Sequence, residues 1–286
     1  LYISVNGKLV RKEEASISPF DHGYLYGLGL FETFRIYNGH PFLLDDHLAR
    51  LKQGLDAVCI RSPFNGREEL QFRLAELLEM NQLRNARIRV NVSAGIGEVG
   101  LRADHYIEPT VIIFANELPE APLPVEKNGK ILSIRRNTPE GAERLKSHHF
   151  LNNILAKQEL GADNTLEGIF LTKDGFLAEG ISSNVFWTKG NVLYTPAIDT
   201  GILNGITRQF IIKIAKKLRL EIEEGVFHRA EIVDADEMFI TNSIQEIVPL
   251  KTMEGRKLPG LNGPIVTLLQ GVYKQQRENL WSRDSF

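Results

Sequence analysis

Asp199-Thr-Gly-Ile-Leu-Asn-Gly-Ile-Thr-Arg208 anchors the reading of this 286-residue chain. A turn rich in Gly and Asn runs straight into Thr207–Leu218, where Phe210, Ile211, Ile214 and Leu218 recur at the spacing of one helix face. The first backbone N–H groups of a helix have no partner within it and carry the positive end of its dipole, so they suit a phosphate. Gly205 would let the backbone approach such a group closely, and the Thr207 hydroxyl would add a bond. An ordinary threonine cap after a turn fits the same residues.

Outward from that turn, helices and strands mix without regular βαβ alternation, which predicts an α+β chain in two parts. Tyr2–Val5 and Lys8–Arg11 flank Asn6-Gly7, a hairpin signal because both residues tolerate positive φ. Phe31–Tyr37, Ala86–Ser93 and Pro109–Asn116 read as strands, and Leu43–Val58 and Arg67–Leu83 as amphipathic helices. Glu117–Gly129 holds Pro119, Pro122 and Pro124 with little apolar periodicity, so domains are expected at 1–118 and 130–286 with a linker at 119–129. Beyond it, strands are predicted at Lys130–Arg136, Gly168–Thr172, Val185–Thr188, Val192–Tyr194 and Glu237–Thr241. Helices are predicted near Ser147–Leu160, Thr207–Leu218 and Pro264–Asn279.

Composition excludes several classes. Lys plus Arg is 34 against 36 for Asp plus Glu, a near-neutral balance that argues against a nucleic-acid partner. No apolar run approaches the roughly 18 residues of a membrane span, and the expected compartment is the cytoplasm. Cys59, the single cysteine, lies in the mostly apolar stretch Leu55–Ile60 and is expected as a buried thiol. His148 and His149 are adjacent and share no helix face for a metal ion, so no metal site is expected.

Three further stretches carry candidate chemistry. In Arg144-Leu-Lys-Ser-His-His-Phe-Leu-Asn-Asn153, Lys146 sits where a polar loop meets a helix, and a nucleophilic lysine must be partly desolvated. In Ala178-Glu-Gly-Ile-Ser-Ser-Asn-Val-Phe-Trp187, Glu179 precedes the small polar cluster Ser182, Ser183 and Asn184. A carboxylate there could hold a pyridine nitrogen protonated, and equally could be a surface residue beside a turn. Gly95-Ile-Gly-Glu-Val-Gly100 fits G-x-G-x-x-G, but the stretch from Leu101 has no helical period and runs to Pro109. A hairpin-like loop is therefore expected there rather than a dinucleotide site.

Taken in order, six blocks resemble the fold-type IV pyridoxal-5′-phosphate (PLP) enzymes, the D-amino-acid-aminotransferase-like fold. They are Asp21–Arg35, His47–Leu51, Leu145–Ser147, Glu179–Phe186, Asn204–Arg208 and Ile240–Ile247. The resemblance covers almost the whole chain. It implies that Lys146 is the lysine joined to the cofactor, that Glu179 faces the pyridine nitrogen, and that Ser182 and Ser183 lie beside the ring. It also implies a phosphate cup of Arg50, Gly205, Ile206, Thr207, Asn242 and Ser243, a cofactor between the two domains, and a homodimer.

Within that family the chain resembles the aminodeoxychorismate lyases more than the D-amino-acid or branched-chain aminotransferases. D-amino-acid enzymes usually carry an Arg-x-His carboxylate trap, and the nearest equivalent here, Arg102-Ala-Asp104, lacks the histidine. The runs Ser133–Gly141 and Arg144–Asn153 look most like the lyases, which implies conversion of 4-amino-4-deoxychorismate to 4-aminobenzoate and pyruvate. Tyr26, Phe31, Arg89 and Arg136 are the candidates for contact with that substrate, with Arg136 favoured for one of its carboxylates.

Overall fold

The structure, a computed structural model, describes residues 1–120 and 125–286. Two compact units are formed. One gathers residues 1–120, 145–149 and 277–286, and the other residues 125–144 and 150–276. A single boundary at 119–129 is therefore too simple. The short segment Leu145–His149 and the last ten residues join the first unit through backbone hydrogen bonds that linear sequence does not display. Residues 121–124 of the expected linker lie outside the described residues.

In the first unit, β1 (Tyr2–Val5), β2 (Lys8–Arg11), β3 (Gly29–Tyr37), β4 (His40–Pro41), β5 (Ala86–Ser93) and β6 (Thr110–Glu117) form an antiparallel sheet ordered β2-β1-β6-β5-β3-β4. Its hairpin turns on Asn6 (φ 50°) and Gly7 (φ 79°), as their tolerance of positive φ leads one to expect. Along β5, Ile88, Val90 and Val92 point into the core while Arg87, Arg89 and Asn91 alternate onto the other face. Helices α2 (Leu44–Ala57) and α3 (Arg67–Asn81) cover the apolar side with Leu44, Leu51, Leu55, Leu70, Leu74 and Leu77. No side chain caps the start of α2. Instead the Asp45 amide donates to the Trp281 carbonyl (3.0 Å) and the Asp46 carboxylate accepts from the Arg283 amide (2.8 Å), which ties the C-terminal tail to this unit.

The region read from sequence as a helix from Ser147 divides in two. The Phe31 amide donates to the Lys146 carbonyl and the His148 amide to the Gly29 carbonyl, both at 2.9 Å, so Leu145–His149 lies along the start of β3 like a short added strand. The helix, α4, begins only at Leu151 and runs to Leu160. A five-residue helix, α1 (His22–Tyr26), capped by the Asp21 carboxylate, was not predicted because it is too short to show a period.

The second unit holds a nine-stranded sheet. It contains β7 (Lys127–Ile131), β8 (Leu166–Leu171), β9 (Leu177–Gly180), β10 (Asn184–Lys189), β11 (Val192–Pro196), β12 (Glu221–Gly225), β13 (Glu237–Asn242), β14 (Glu246–Met253) and β15 (Arg256–Lys257). The order is β12-β11-β10-β13-β14-β7-β8-β9, with β15 paired to β14. Helix α5 (Ile206–Lys217) buries Phe210, Ile211 and Ile214, and the Phe210 ring meets Tyr273 of α6 (Pro264–Gln276) edge-on at 5.6 Å. Glu237 caps α6 by accepting from the amides of Ile265 (3.0 Å) and Val266 (2.9 Å).

Several sequence expectations shift. The strand expected at Lys130–Arg136 is instead β7, which ends at Ile131 where its parallel pairing with β8 ends, and Gly129 within it passes beneath Met253, whose sulfur a Cβ there would meet at 2.6 Å. Cys59 is exposed, not buried, since its left-handed backbone (φ 56°) at the end of α2 turns the side chain outward and gives the core position to Ile60. Among the described residues no helix is long and apolar enough to cross a membrane.

Gly95-Ile-Gly-Glu-Val-Gly100 joins the antiparallel strands β5 and β6 and opens no helix, so the geometry needed for a dinucleotide is missing. Gly95 has φ 82°, and a Cβ on it would meet the Glu108 carbonyl at 2.0 Å. Gly95→Ala is therefore expected to lower stability by about 2–4 kcal/mol. Urea melts check this, and a loss under about 0.5 kcal/mol, within ordinary surface variation, would contradict the packing described.

Candidate active site

The two units each present a set of polar groups, and each set begins with a strand. In the first, the pairing of Leu145–His149 with β3 imposes strand alternation, so Lys146 and His148 share one side while Leu145 packs into the apolar core on the other. Phe31 of β3, only 3% exposed, stands between them. The Lys146 ammonium lies 4.6 Å from the Phe31 ring centre, and the His148 ring stacks near it at 6.3 Å. Arg89 of β5 covers the same ring at 3.7 Å and donates Nε to Asn91 at 2.9 Å. Burial, and secondarily Arg87, pulls the Arg89 guanidinium below its usual range, and burial followed by Arg89 pulls His148 down. Arg89 has no carboxylate partner among the described residues, and the buried Nε2 of His148 has no hydrogen-bond partner there. This is an anion-seeking corner beside a lysine amine.

Arg50 of α2 also belongs to this unit, but it grips Glu32 of β3 through Nε and Nη2, each at 2.7 Å. His47 completes the group, with Nδ1 2.6 Å from Glu32. An ionised carboxylate only accepts, so Nδ1 carries the hydrogen. Burial alone would raise the Glu32 carboxyl, yet Arg50 and His47 outweigh it and hold it at about 2. The family resemblance implies that Arg50 serves a phosphate. The structure shows one guanidinium edge already fixed by Glu32, which orients the rest of the group.

In the second unit Glu179 of β9 is buried and ionically paired to Arg136 (Nε–Oε1, 2.8 Å), with Arg144 at 3.7 Å from the same oxygen. Its Oε2 accepts from the Leu203 amide (2.9 Å), with the Asn184 side chain at 3.5 Å. A carboxylate offers about four acceptor positions, so one direction remains open. Arg136 thus corrects its expected role: it is 8% exposed and committed to Glu179, Asn152 and Asn153 rather than held out toward a substrate. Burial, and then Arg136, lowers Arg144 to about 10. Arg35 of β3 is 2% exposed and donates to the Pro119 carbonyl.

The start of α5 lies in this unit as well. No side chain caps it, and Gly205 has no room for a Cβ, which would meet Asn184 Oδ1 at 2.1 Å. The Thr207 and Ser243 hydroxyls are 3.4 Å apart, and the buried Thr241 hydroxyl has no hydrogen-bond partner among the described residues. Asn242 is spent differently, its Oδ1 accepting from the Ile244 (3.0 Å) and Gln245 (2.8 Å) amides to close the β13–β14 turn. Ser183 donates to Glu167 at 2.8 Å, which Lys127 neutralises at 2.7 Å, whereas Ser182 is exposed. The Tyr26 hydroxyl accepts from the Gly100 amide at 2.7 Å and so steadies the 96–101 loop.

Comparison with known proteins places the fold in a family. A family model described as amino-transferase class IV matches residues 29–253. The chain belongs to the amino-transferase class IV family. Among its relatives, an aminodeoxychorismate lyase of Bacillus subtilis is 50% identical over 280 residues, covering 97% of this chain and 95% of that one. A D-alanine aminotransferase of Bacillus licheniformis is 33% identical, with 93% of each chain covered. The crystal structure of a branched-chain aminotransferase from Thermoproteus uzoniensis with norvaline superposes with a TM-score of 0.86 at 28% identity, covering 98% of this chain and 97% of that one.

For this class IV chain, sequence reading missed Glu32, His47, His148, Arg144 and Glu167. One signal was present for His148: had Leu145–His149 been read as extended, alternation would have placed it beside Lys146.

Because the Glu32 carboxyl falls from its ordinary 4.5 to about 2 on folding, its stabilisation is full above pH 4.5 and disappears as pH falls toward 2. Glu32→Gln should therefore cost about 3 kcal/mol at neutral pH and flatten the acid limb of the stability profile. Urea melts from pH 7 to 2 read this directly. An unchanged acid limb would show that Glu32 is not held ionised.

Proposed function

We propose that this chain is a PLP-dependent carbon–oxygen lyase that converts 4-amino-4-deoxychorismate to 4-aminobenzoate and pyruvate, with Lys146 as its proton-transfer residue. The observation that carries the reading is the 50% identity, over nearly the full length of both chains, to a relative named for that reaction. The class IV family works with PLP. The residues of this structure fit that group in three ways: an open acceptor direction on buried Glu179, an uncapped helix start at a glycine without room for a Cβ, and an unpartnered buried hydroxyl on Thr241.

When bound, PLP supplies a protonated ring that draws electrons from the carbon bearing the substrate nitrogen. The chain supplies the rest. The amides of Ile206 and Thr207 with the Thr207 and Ser243 hydroxyls would hold the phosphate, and the family resemblance would add the guanidinium of Arg50, which Glu32 orients. Glu179 would accept a hydrogen bond from the ring nitrogen and so keep the ring protonated. The Lys146 amine removes the proton from the substrate ring carbon that carries nitrogen, and the enolpyruvyl oxygen leaves as the ring becomes aromatic. One proton leaves carbon and one is returned to enolpyruvate to give pyruvate, so no keto acid is consumed. Arg89, lacking a carboxylate partner and sharing Phe31 with Lys146, binds a substrate carboxylate. The working species is proposed to be a homodimer in the cytoplasm, where the lone exposed Cys59 would remain reduced.

Two variants test the assignment. Lys146→Ala is expected to abolish release of 4-aminobenzoate and pyruvate and to remove the visible band of the lysine-bound cofactor. Arg89→Gln should raise KM by about 10- to 100-fold with kcat little changed, as for a lost charge-assisted contact made before and during the reaction. Product analysis without a keto acid settles the reaction itself. If 4-aminobenzoate is absent and amino transfer from D-alanine or leucine to 2-oxoglutarate appears, the chain is an aminotransferase.

A further inference from the structure

Glu179 is held by more than the proposed reaction asks for. Arg136, with its side chain 7% exposed, donates Nε to Glu179 Oε1 at 2.8 Å. Its Nη1 reaches Asn152 Oδ1 (2.7 Å), Asn137 Oδ1 (3.2 Å) and Asn153 Oδ1 (3.3 Å), and its guanidinium lies 5.2 Å above the centre of Phe170. The asparagines are fixed in turn, Asn152 donating to the Arg135 carbonyl at 3.0 Å and Asn153 to the Ile181 carbonyl. Arg144 brings a second guanidinium to the same carboxylate and is anchored on the Gly201 carbonyl at 2.6 Å. For Arg136 to read a substrate anion it would have to leave a buried carboxylate behind, which is strongly unfavourable for such pairs.

A lone carboxylate on β9 could rotate about its last torsion and offer the ring nitrogen either oxygen at any angle. With Oε1 fixed by Arg136 and Oε2 by the Leu203 amide, rotation stops. The charge is also tempered. Two guanidinium groups face this carboxylate, with Glu140 acting on Arg144 as well, so the pull of Glu179 on a ring-nitrogen proton is weaker than that of an unpaired carboxylate. Asn152 and Asn153 stand in the first turn of α4, so the start of that helix sets the position of Arg136.

We propose that Arg136 is a positioning residue, clamped by Asn152 and Asn153, that fixes Glu179 for the cofactor's ring nitrogen and moderates its hold on the ring proton. The proposal rests on Glu179 being the residue that faces that nitrogen.

The test uses holoenzyme of Arg136→Gln, Arg136→Lys and Asn152→Ala, with Glu179→Gln as the reference. Four quantities are read: the pH midpoint of the cofactor's visible band, the rate of cofactor loss on dilution, kcat and KM. Arg136→Gln removes a positive charge that opposed protonation, so the midpoint should rise by about one unit. Cofactor should be lost about tenfold faster, and kcat should fall by about 100-fold with KM within about threefold of wild type. Arg136→Lys keeps the charge but cannot span Glu179 and both asparagines, so its midpoint should stay near wild type while kcat falls by about tenfold. Asn152→Ala should lie between wild type and Arg136→Lys.

A rise in KM with unchanged kcat and midpoint would make Arg136 a reader of substrate and overturn the proposal. Wild-type values throughout would overturn it as well. If Arg136→Gln does not fold, a wild-type kcat in Arg136→Lys is the overturning result. Should Glu179→Gln alone leave midpoint and kcat unchanged, it is the reading of Glu179 that falls.

Discussion

The strand-like attachment of Leu145–His149 to β3 is the constraint on which the chemistry of the first unit depends. Two backbone hydrogen bonds, from Phe31 to Lys146 and from His148 to Gly29, hold a segment that would otherwise be a polar loop. In a helix, residues two apart point some 200° away from each other. Along an extended segment they point the same way, so Lys146 and His148 fall on one side with the Arg89 face of β5. Gly29 is part of that geometry: a Cβ there would meet the His148 ring at 2.5 Å. The root of this lysine is thereby placed by main-chain pairing and not by its own flexible stem.

Buried carboxylates follow a second rule. Glu32, Glu167 and Glu179 are each at most 6% exposed, and each meets at least one buried or half-buried cation within 2.8 Å. Buried pairs are weak devices for stability, because desolvation offsets most of the Coulomb gain. What they do well is fix direction. Glu32 orients Arg50, Arg136 orients Glu179, and Glu167 holds the Ser183 hydroxyl. In each pair one member also appears among the residues assigned to the cofactor, and the other is its support.

These supports explain what could and could not be read from the sequence. The periodic elements were legible: α2, α3, α5 and β5 lie within about two residues of their expected ends, since each buries one face. The phosphate-type turn before α5 was legible too, because a glycine and a helix start are local features. Strands β12 and β14 were not, for Glu221–Gly225 is largely polar and Glu246–Met253 contains Pro249 and Lys251, and only pairing with distant partners makes strands of them. Arg136 was misread for the same reason. Its partners Glu179 and Asn153 are 43 and 17 residues away, and no local pattern distinguishes an arginine that grips a buried carboxylate from one that waits for a ligand.

The proposed reaction also accounts for a cation placed where amino-acid chemistry has less use for it. An amino-acid substrate carries its carboxylate on the same carbon as its nitrogen, so a trap such as Arg-x-His must sit close to the point of proton transfer. In 4-amino-4-deoxychorismate the carbon bearing nitrogen has no carboxylate, and both anionic groups lie farther out on the ring and its ether. Here the position resembling the trap is Arg102-Ala-Asp104, in which the arginine lies 4.0 Å from its own neighbouring aspartate and over Tyr106 at 5.4 Å. Arg89, which has no carboxylate partner among the described residues, shares the Phe31 ring with Lys146. A charge set apart from the lysine by an aromatic side chain suits a substrate whose carboxylate is separated from its amine by the width of a ring, and suits an α-amino acid poorly.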